Sequence, residues 1–436
     1  MLKADWAVRL AGAAVLVSIG AFEATAGGFA IHEQSTVGQG EAFAGIAAGG
    51  APSSMFWNPA TMTQTPGVAL EANGTGILAR VDQNPAVGST LLPLGFGGAN
   101  DTGSPTLLVS GYTTWQINPN LWLGLSTNSP FGLSTSFPDQ WAGRTFGLGS
   151  SLLTYNATPS VALRINEWLS VGLGAQVEFG QADVNFGLLN IPTARVNLNG
   201  SGWGYGLTAG VTVTPGPNTT IGVGWRSALN QKIDGSLNVG FPLSTPGPAN
   251  TTLDLPDIVS AGIRHRFDDR WTAMATAEWT NWSRIGTSVV NQAAGGPAFV
   301  GGSVVALPFQ FRDGWFYSVG AEYVMDARTT LRGGVAFEVS PITDHVRIPL
   351  VPDNDRFWLS LGASYKMLPN FIMDIGYSHI WVKDSNINIS AASGNPWFNP
   401  ASGIAYIGEA SVGISIYSVG FRYMFNAPPP PLLTKG

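Results

Sequence analysis

From Phe371 to Trp381 apolar and polar positions alternate. Phe371, Met373, Ile375, Tyr377 and Trp381 hold the odd positions with one polar residue, His379; Ile372, Asp374, Gly376, Ser378 and Ile380 hold the even ones. Successive side chains of a strand point to opposite faces, so one face here is oily and the other mostly small or charged. The same alternation predicts fourteen strands, at about 68–80, 105–117, 121–128, 152–165, 168–186, 201–214, 219–238, 255–266, 271–283, 314–325, 328–340, 356–367, 370–386 and 410–425. Short polar turns (Asn118 to Asn120, Asn166-Glu167, Pro215 to Asn218, Phe267 to Arg270, Asp326-Ala327, Leu368-Pro369) alternate with long loops near 81–104, 129–151, 187–200, 239–254, 284–313, 341–355 and 387–409. That sidedness belongs to an outer-membrane barrel, with an even strand count returning both ends to the short-turn, periplasmic side.

A large antiparallel sandwich with one wet face would also alternate. Here, however, the apolar face stays apolar on strand after strand: Val259, Ala261 and Ile263; Val319, Ala321 and Tyr323; Phe357, Leu359 and Leu361. The opposite face sets Arg264, Glu278, Glu322, Arg332, Glu338, Asp374 and Arg422 among glycines and serines, as suits a water-lined lumen where neighbouring charges pair. These charges read as wall braces rather than substrate ligands. Trp115, Trp271 and Trp381 have the outward parity of an aromatic girdle, while Trp122 and Trp168 have inward parity.

Composition sharpens this. The 436 residues are 44% hydrophobic yet 11% charged, against about 25% charged in soluble domains. After the N-terminus no apolar run approaches the ~18–20 residues of a membrane helix. A net charge of −6 offers no basic surface, so nucleic acid is not an expected partner. Zero cysteines exclude disulfides and thiolate metal sites, and no cofactor or metal is expected. Residues 1–26 read as an export signal: Lys3 and Arg9, an apolar core from Ala11 to Phe22, then Ala24-Thr25-Ala26, with cleavage expected after Ala26.

Residues 27–67 are too apolar for a solvated leader and lack strand alternation. A compact plug is the expected role, because fourteen strands enclose more space than wall side chains can fill. The barrel proper is expected over 68–425, ending Val419-Gly420-Phe421-Arg422-Tyr423-Met424-Phe425, alternating aromatics of the kind read by the barrel assembly machinery. Residues 426–436, with four consecutive prolines, read as a periplasmic tail. Outer-membrane lipid and lipopolysaccharide are the expected surroundings of the barrel, and a monomer its expected state.

Several segments, in order, resemble the FadL/TodX family of outer-membrane transporters. They are Gly28-Phe29, Gly38-Gln39-Gly40 and Asn58-Pro59-Ala60, Trp141 to Arg144, Trp279 to Ser283, Leu331 to Gly334, Ser340-Pro341-Ile342, Ile348-Pro349 and Pro352 to Trp358. The resemblance implies a fourteen-stranded all-β transmembrane barrel with an N-terminal hatch. It also implies passive uptake of hydrophobic molecules that leave sideways through a kink in the third strand. On this chain the kink falls at Pro130-Phe131-Gly132, where proline removes a ladder donor and glycine permits unusual dihedrals. Asn58, Pro59 and Ala60 are expected to face it, with Phe29 and Ile31 near the pocket.

Long-chain fatty acid is the first expected ligand and a neutral or aromatic hydrocarbon the second. The members that take fatty acids are expected to hold basic side chains near the pocket. Here Glu178 to Asp183 and Gly286 to Val290 offer none, and only Arg195 or Arg284 could substitute. An outer-membrane enzyme is the competing class. His32, His265, His345 and His379 have no serine or carboxylate partner at a recognisable spacing and no G-x-S-x-G occurs, so no catalytic residue is assigned. Gly202-x-Gly204-x-Gly206 lies in an alternating strand and reads as small lumenal residues. An open porin is the other alternative, lacking a plug.

Overall fold

The computed structural model describes residues 27–188, 191, 194–240, 244–292 and 304–425; the expected signal and the proline-rich tail lie outside them. Fourteen antiparallel strands close into one barrel. In chain order they are β1 Val68–Pro85, β2 Thr106–Asn118, β3 Leu121–Asn128 and Gly132–Ser136, β4 Gly149–Arg164, β5 Leu169–Gly187, β6 Arg195–Gly216 and β7 Thr219–Arg226 and Leu229–Gly240. They continue with β8 Ser244–Leu255 and Ile258–Arg266, β9 Trp271–Thr280 and Thr287–Gln292, β10 Val304–Pro308 and Gly314–Val324, β11 Thr329–Val339, β12 Arg356–Leu368, β13 Phe371–Val382 and Ser385–Ile389, and β14 Tyr406–Phe425. Each strand pairs with its sequence neighbour, and β14 returns to β1 in the register Val68↔Phe425. Closure through β1 and β14 leaves neither terminal strand with an open edge, as a membrane sheet requires.

The strands run farther than hydrophobic alternation suggested. β6 starts at Arg195, β7 reaches Gly240, β8 starts at Ser244, and β9 and β10 extend through Thr287–Gln292 and Val304–Pro308. At that end the outward positions include Asn230, Lys232, Asp234 and Thr252, so the ladder continues where its outer face no longer meets lipid. Five strands are broken near this level, at 227–228, 256–257, 281–286, 309–313 and 383–384. Asp257 binds three of the broken strands together. Its carboxylate accepts from Ala228 N at 3.0 Å and Trp225 Nε1 at 3.3 Å, and its carbonyl from Asn281 N at 2.9 Å.

Trp115, Trp271 and Trp381 are exposed on the outside. Trp122 is buried, donating to Thr65 O at 2.8 Å, as inward parity requires. Trp168 departs from its inward parity and is exposed, because it sits in the turn before β5 where the pleat does not fix its direction.

Residues 27–67 lie inside the strands, almost entirely buried. They form a short helix α1 (Thr36–Gly40), capped by Ser35 Oγ accepting from Gly38 N, and 3₁₀ turns at Ile46–Ala48, Pro52–Phe56 and Pro59–Gln64. Their backbone approaches the wall most closely at wall glycines. A Cβ at Gly222 would lie 1.9 Å from Ala47 O, and one at Gly224 1.8 Å from Trp57 O. On the other side, one at Gly334 would lie 2.3 Å from Glu41 O. Charges complete the contact. Arg264 reaches Glu41 at 2.8 Å and Glu322 at 3.2 Å, Arg332 reaches Glu322 at 2.8 Å, and Arg422 pairs with Asp374 at 2.7 Å.

Candidate functional site

The β2–β3 ladder stops at Gly111↔Thr127. Beyond it Thr106 to Ser110 pair only with β1, and β3 resumes at Gly132 paired with β4. The cause is local. Pro130 has no N–H, Ser129 N points to Gln34 Oε1 at 3.4 Å, and Phe131 N donates to Thr154 Oγ1 at 3.1 Å. No amide of 129–131 is therefore left for β2. Contact between the two sides returns only at the isolated bridge Gly103↔Thr135.

The N-terminal segment covers this gap from inside. Ile31 N donates to Pro130 O at 2.8 Å and Gly132 N to Phe29 O at 2.9 Å, forming an antiparallel bridge Ala30↔Phe131. Gln34 Nε2 donates to Ser129 O at 2.7 Å, while Gln34 O accepts from Tyr112 Oη at 2.7 Å and Ser110 Oγ at 2.9 Å. Gln34 thus links the two sides where the ladder is missing.

Three strand interruptions turn aromatic rings inward around Phe29. Its ring lies 4.6 Å from Trp282 of the β9 break, and 6.4 Å from both Phe131 of β3 and Phe311 of the β10 break. Trp282 packs on Phe131 at 6.2 Å and on Phe311 at 6.1 Å. Edge-to-face contacts of this kind add about 0.5–1.5 kcal/mol each beyond area burial.

Phe29 also lines a cavity of about 130 Å³. Apolar residues from β4 to β10 surround it, among them Leu152, Val184, Leu198, Leu253 and Val290, with Leu350 and Trp397 from the long loops. Among the described residues, none that lines it is charged. Arg195 pairs with Asp139 on the exposed surface at 2.6 Å and Arg284 lies exposed near Asn230, so neither supplies the cation that the sequence left open.

Charge sits instead below the aromatic cluster. His32 Nε2 meets Glu278 at 2.8 Å and its ring stacks on Phe316 at 4.7 Å. Burial opposes a charged imidazole, but the charge and hydrogen bond of Glu278, with the Glu338 and Glu33 carboxylates, together outweigh it and raise the pKa to about 9. Burial also lifts the Glu33 carboxyl to about 7. Gly28 N donates to Asp353 Oδ2 at 3.1 Å, and Asp353 also takes Arg356 and Ser340 Oγ. Of the lumenal charges named from sequence, every one has a partner, and His32 and Glu41 of the N-terminal segment join them.

The expected site residues separate into two groups. Phe29 and Ile31 meet Pro130, Phe131 and Gly132 directly, with Ile31 Cδ1 2.7 Å from the place a Gly132 Cβ would take. Asn58, Pro59 and Ala60 do not face the break. They abut β5 and β6, where Asn58 Nδ2 donates to Val211 O at 2.9 Å and Cβ atoms at Gly172 and Gly210 would strike Ala60 N and Asn58 Oδ1. The Asn-Pro pair fixes a capped turn (Ala60 N to Asn58 Oδ1, 3.0 Å), and that turn needs a glycine-lined wall. Sequence reasoning missed Gln34, Trp282 and Phe311. A signal was present for the last two: Gly286 follows Trp282 by four residues, and Pro308 and Gly314 flank Phe311 at three.

Residues 17–425 match the family model for outer membrane protein transport protein (OMPP1/FadL/TodX). A long-chain fatty acid transport protein of Salmonella typhi is 26% identical over 410 residues, covering 86% of this chain and 92% of that protein. Among solved structures, a Pseudomonas aeruginosa FadL homologue superposes with a TM-score of 0.79 at 24% identity, covering 92% of this chain and all of that one. The Ralstonia pickettii toluene transporter TbuX gives 0.67 at 16%, covering 91% and all of that chain. These two likenesses speak to the fold.

Proposed function

The chain belongs to the outer membrane protein transport family (OMPP1/FadL/TodX), and from that premise we propose that its cavity takes up uncharged hydrophobic molecules and releases them sideways at the β3 break. It is a transporter of hydrophobic compounds in the outer membrane of a Gram-negative bacterium. The observation that carries the finer reading is a cavity with no charged residue among its described lining, whose wall includes Phe29 at the interrupted strand. A carboxylate there would lose its water without gaining a cation, a cost that charge-free ligands avoid. Each CH₂ moved into the cavity gains about 0.8 kcal/mol. Sideways release delivers the ligand into membrane lipid and spares it the return to water. Phe29, Ile31 and Gln34 act as the gate between cavity and break, while Asn58 to Ala60 hold the segment in the lumen.

Long-chain fatty acid is the second reading, favoured by the relative named for that transport. Binding of an alkane, a monoaromatic and a long-chain acid to the purified protein, followed from pH 5 to 9, separates the two. We expect the acid to bind more weakly as it ionises while the neutral ligands bind alike throughout. Tighter binding of the ionised acid would overturn the first reading.

A further inference from the structure

Ser288 lies in the second segment of β9, paired across to Leu307, and its side chain lines the cavity. It is 5% exposed and its hydroxyl has no hydrogen-bond partner among the described residues. The other polar lining groups differ. Ser150 Oγ bonds Thr135 Oγ1 at 2.9 Å, Ser236 Oγ donates to Asn199 Oδ1 at 3.1 Å, Thr251 Oγ1 donates to Val289 O at 2.9 Å, and Asn250 is exposed. Val290, Leu253 and Phe309 line the same wall. One unsatisfied hydroxyl therefore faces an apolar space.

We propose that Ser288 is a specificity-determining residue: the cavity prefers an apolar molecule bearing a single uncharged oxygen function, an alcohol, ketone or ester, set against the Ser288 hydroxyl. The inference rests on the reading that the cavity holds the transported ligand. A hydroxyl can donate or accept, so it meets a carbonyl, an ether oxygen or an alcohol equally. An alkane leaves it unpaired, and an unpaired buried group forfeits the bond that would offset its lost hydration. A carboxylate could accept one hydrogen bond from it, but brings a full charge into a space without a cation.

The test compares 1-dodecanol, dodecane and dodecanoate at pH 8, bound to the mature wild-type protein and to Ser288→Ala and Ser288→Thr in lipid nanodiscs. We expect Ser288→Ala to lose about tenfold in dodecanol affinity, the equivalent of one hydrogen bond, with dodecane affinity unchanged. Ser288→Thr, which restores the hydroxyl, retains the wild-type preference. Equal losses for dodecanol and dodecane in Ser288→Ala, or dodecanoate binding tighter than dodecanol, would overturn the assignment. Failure of all three ligands to bind the wild-type protein would instead remove the cavity reading itself, and this inference with it.

Discussion

Replacing Gly224 with alanine asks whether the N-terminal segment is held by its fit to the wall. The new Cβ would stand 1.8 Å from Trp57 O and 2.8 Å from Trp57 C. Carbon-to-carbonyl contacts settle near 3.3–3.6 Å, so the carbonyl must retreat by about 1.5 Å. It cannot do so alone, because the next residue is tied at both ends, Asn58 Nδ2 donating to Ala47 O at 2.7 Å and Val211 O at 2.9 Å. Losing those two bonds costs roughly 1 kcal/mol each, and the overpacking about 1–3 kcal/mol more. At 1.4 kcal/mol per factor of ten, a total of about 3–5 kcal/mol lowers the seated-to-displaced ratio by more than about a hundredfold. Planar-bilayer recording of the refolded protein is the assay, with Gly74→Ala as control because nothing lies within 4 Å of its Cβ position. We expect both variants to assemble, shown by their heat-dependent gel migration, and only Gly224→Ala to show frequent ion-conducting openings. Wild-type conductance in assembled Gly224→Ala would refute the reasoning.

Gly132→Phe should fill the β3 break and displace Ile31, whose Cδ1 lies 2.7 Å from the Cβ position; uptake of labelled ligand is lost while barrel assembly and ligand binding persist. Arg422→Ala leaves Asp374 without its cation, while Ser364 keeps Arg332, and should lower barrel stability by about 3–5 kcal/mol in urea titration, without altering ligand preference. His32, raised from 6.5 to about 9 in the folded chain, contributes its full stabilisation below pH 6.5 and loses it as pH rises through about 9. Conductance of the wild-type protein should therefore increase between pH 8 and 10, and that rise should be absent in His32→Gln.

The alternation legible in segments such as Phe371 to Trp381 was enough to count the strands, because lipid imposes one apolar face on each. It failed where lipid ends: Thr252 of β8 and Thr287 and Asn291 of β9 are exposed on strand segments that fall in the expected loops 239–254 and 284–313, and nothing in a local pattern separates such a strand from a polar loop. The break at Pro130 was readable for the same reason a break is needed, a missing N–H. What covers it was not. Gln34 lies 95 residues from Ser129, and no spacing connects them. Asn58-Pro59-Ala60 was misplaced because a capped turn announces its shape but not the wall glycines, Gly172 and Gly210, that receive it. Lumenal charges such as Asp374 are paired, as the reading of them as wall braces expects, yet the pairing of others with Glu41 and His32 of the N-terminal segment becomes visible only when the chain folds inward.

The sideways route is tested most directly by locking the bridge between Ala30 and Phe131. Its flanking bonds, Ile31 N to Pro130 O and Gly132 N to Phe29 O, make this the close, non-hydrogen-bonded type of pair. Its Cα atoms are then about 4.5 Å apart, within disulfide range. The chain has no cysteine of its own, so an Ala30→Cys, Phe131→Cys double variant carries one possible crosslink. Uptake of a labelled hydrophobic probe is measured in the oxidised and reduced forms of that single protein. The account predicts that oxidation stops uptake while the cavity still binds the probe, and that reduction restores it. Equal uptake in the two forms would contradict passage through the β3 break.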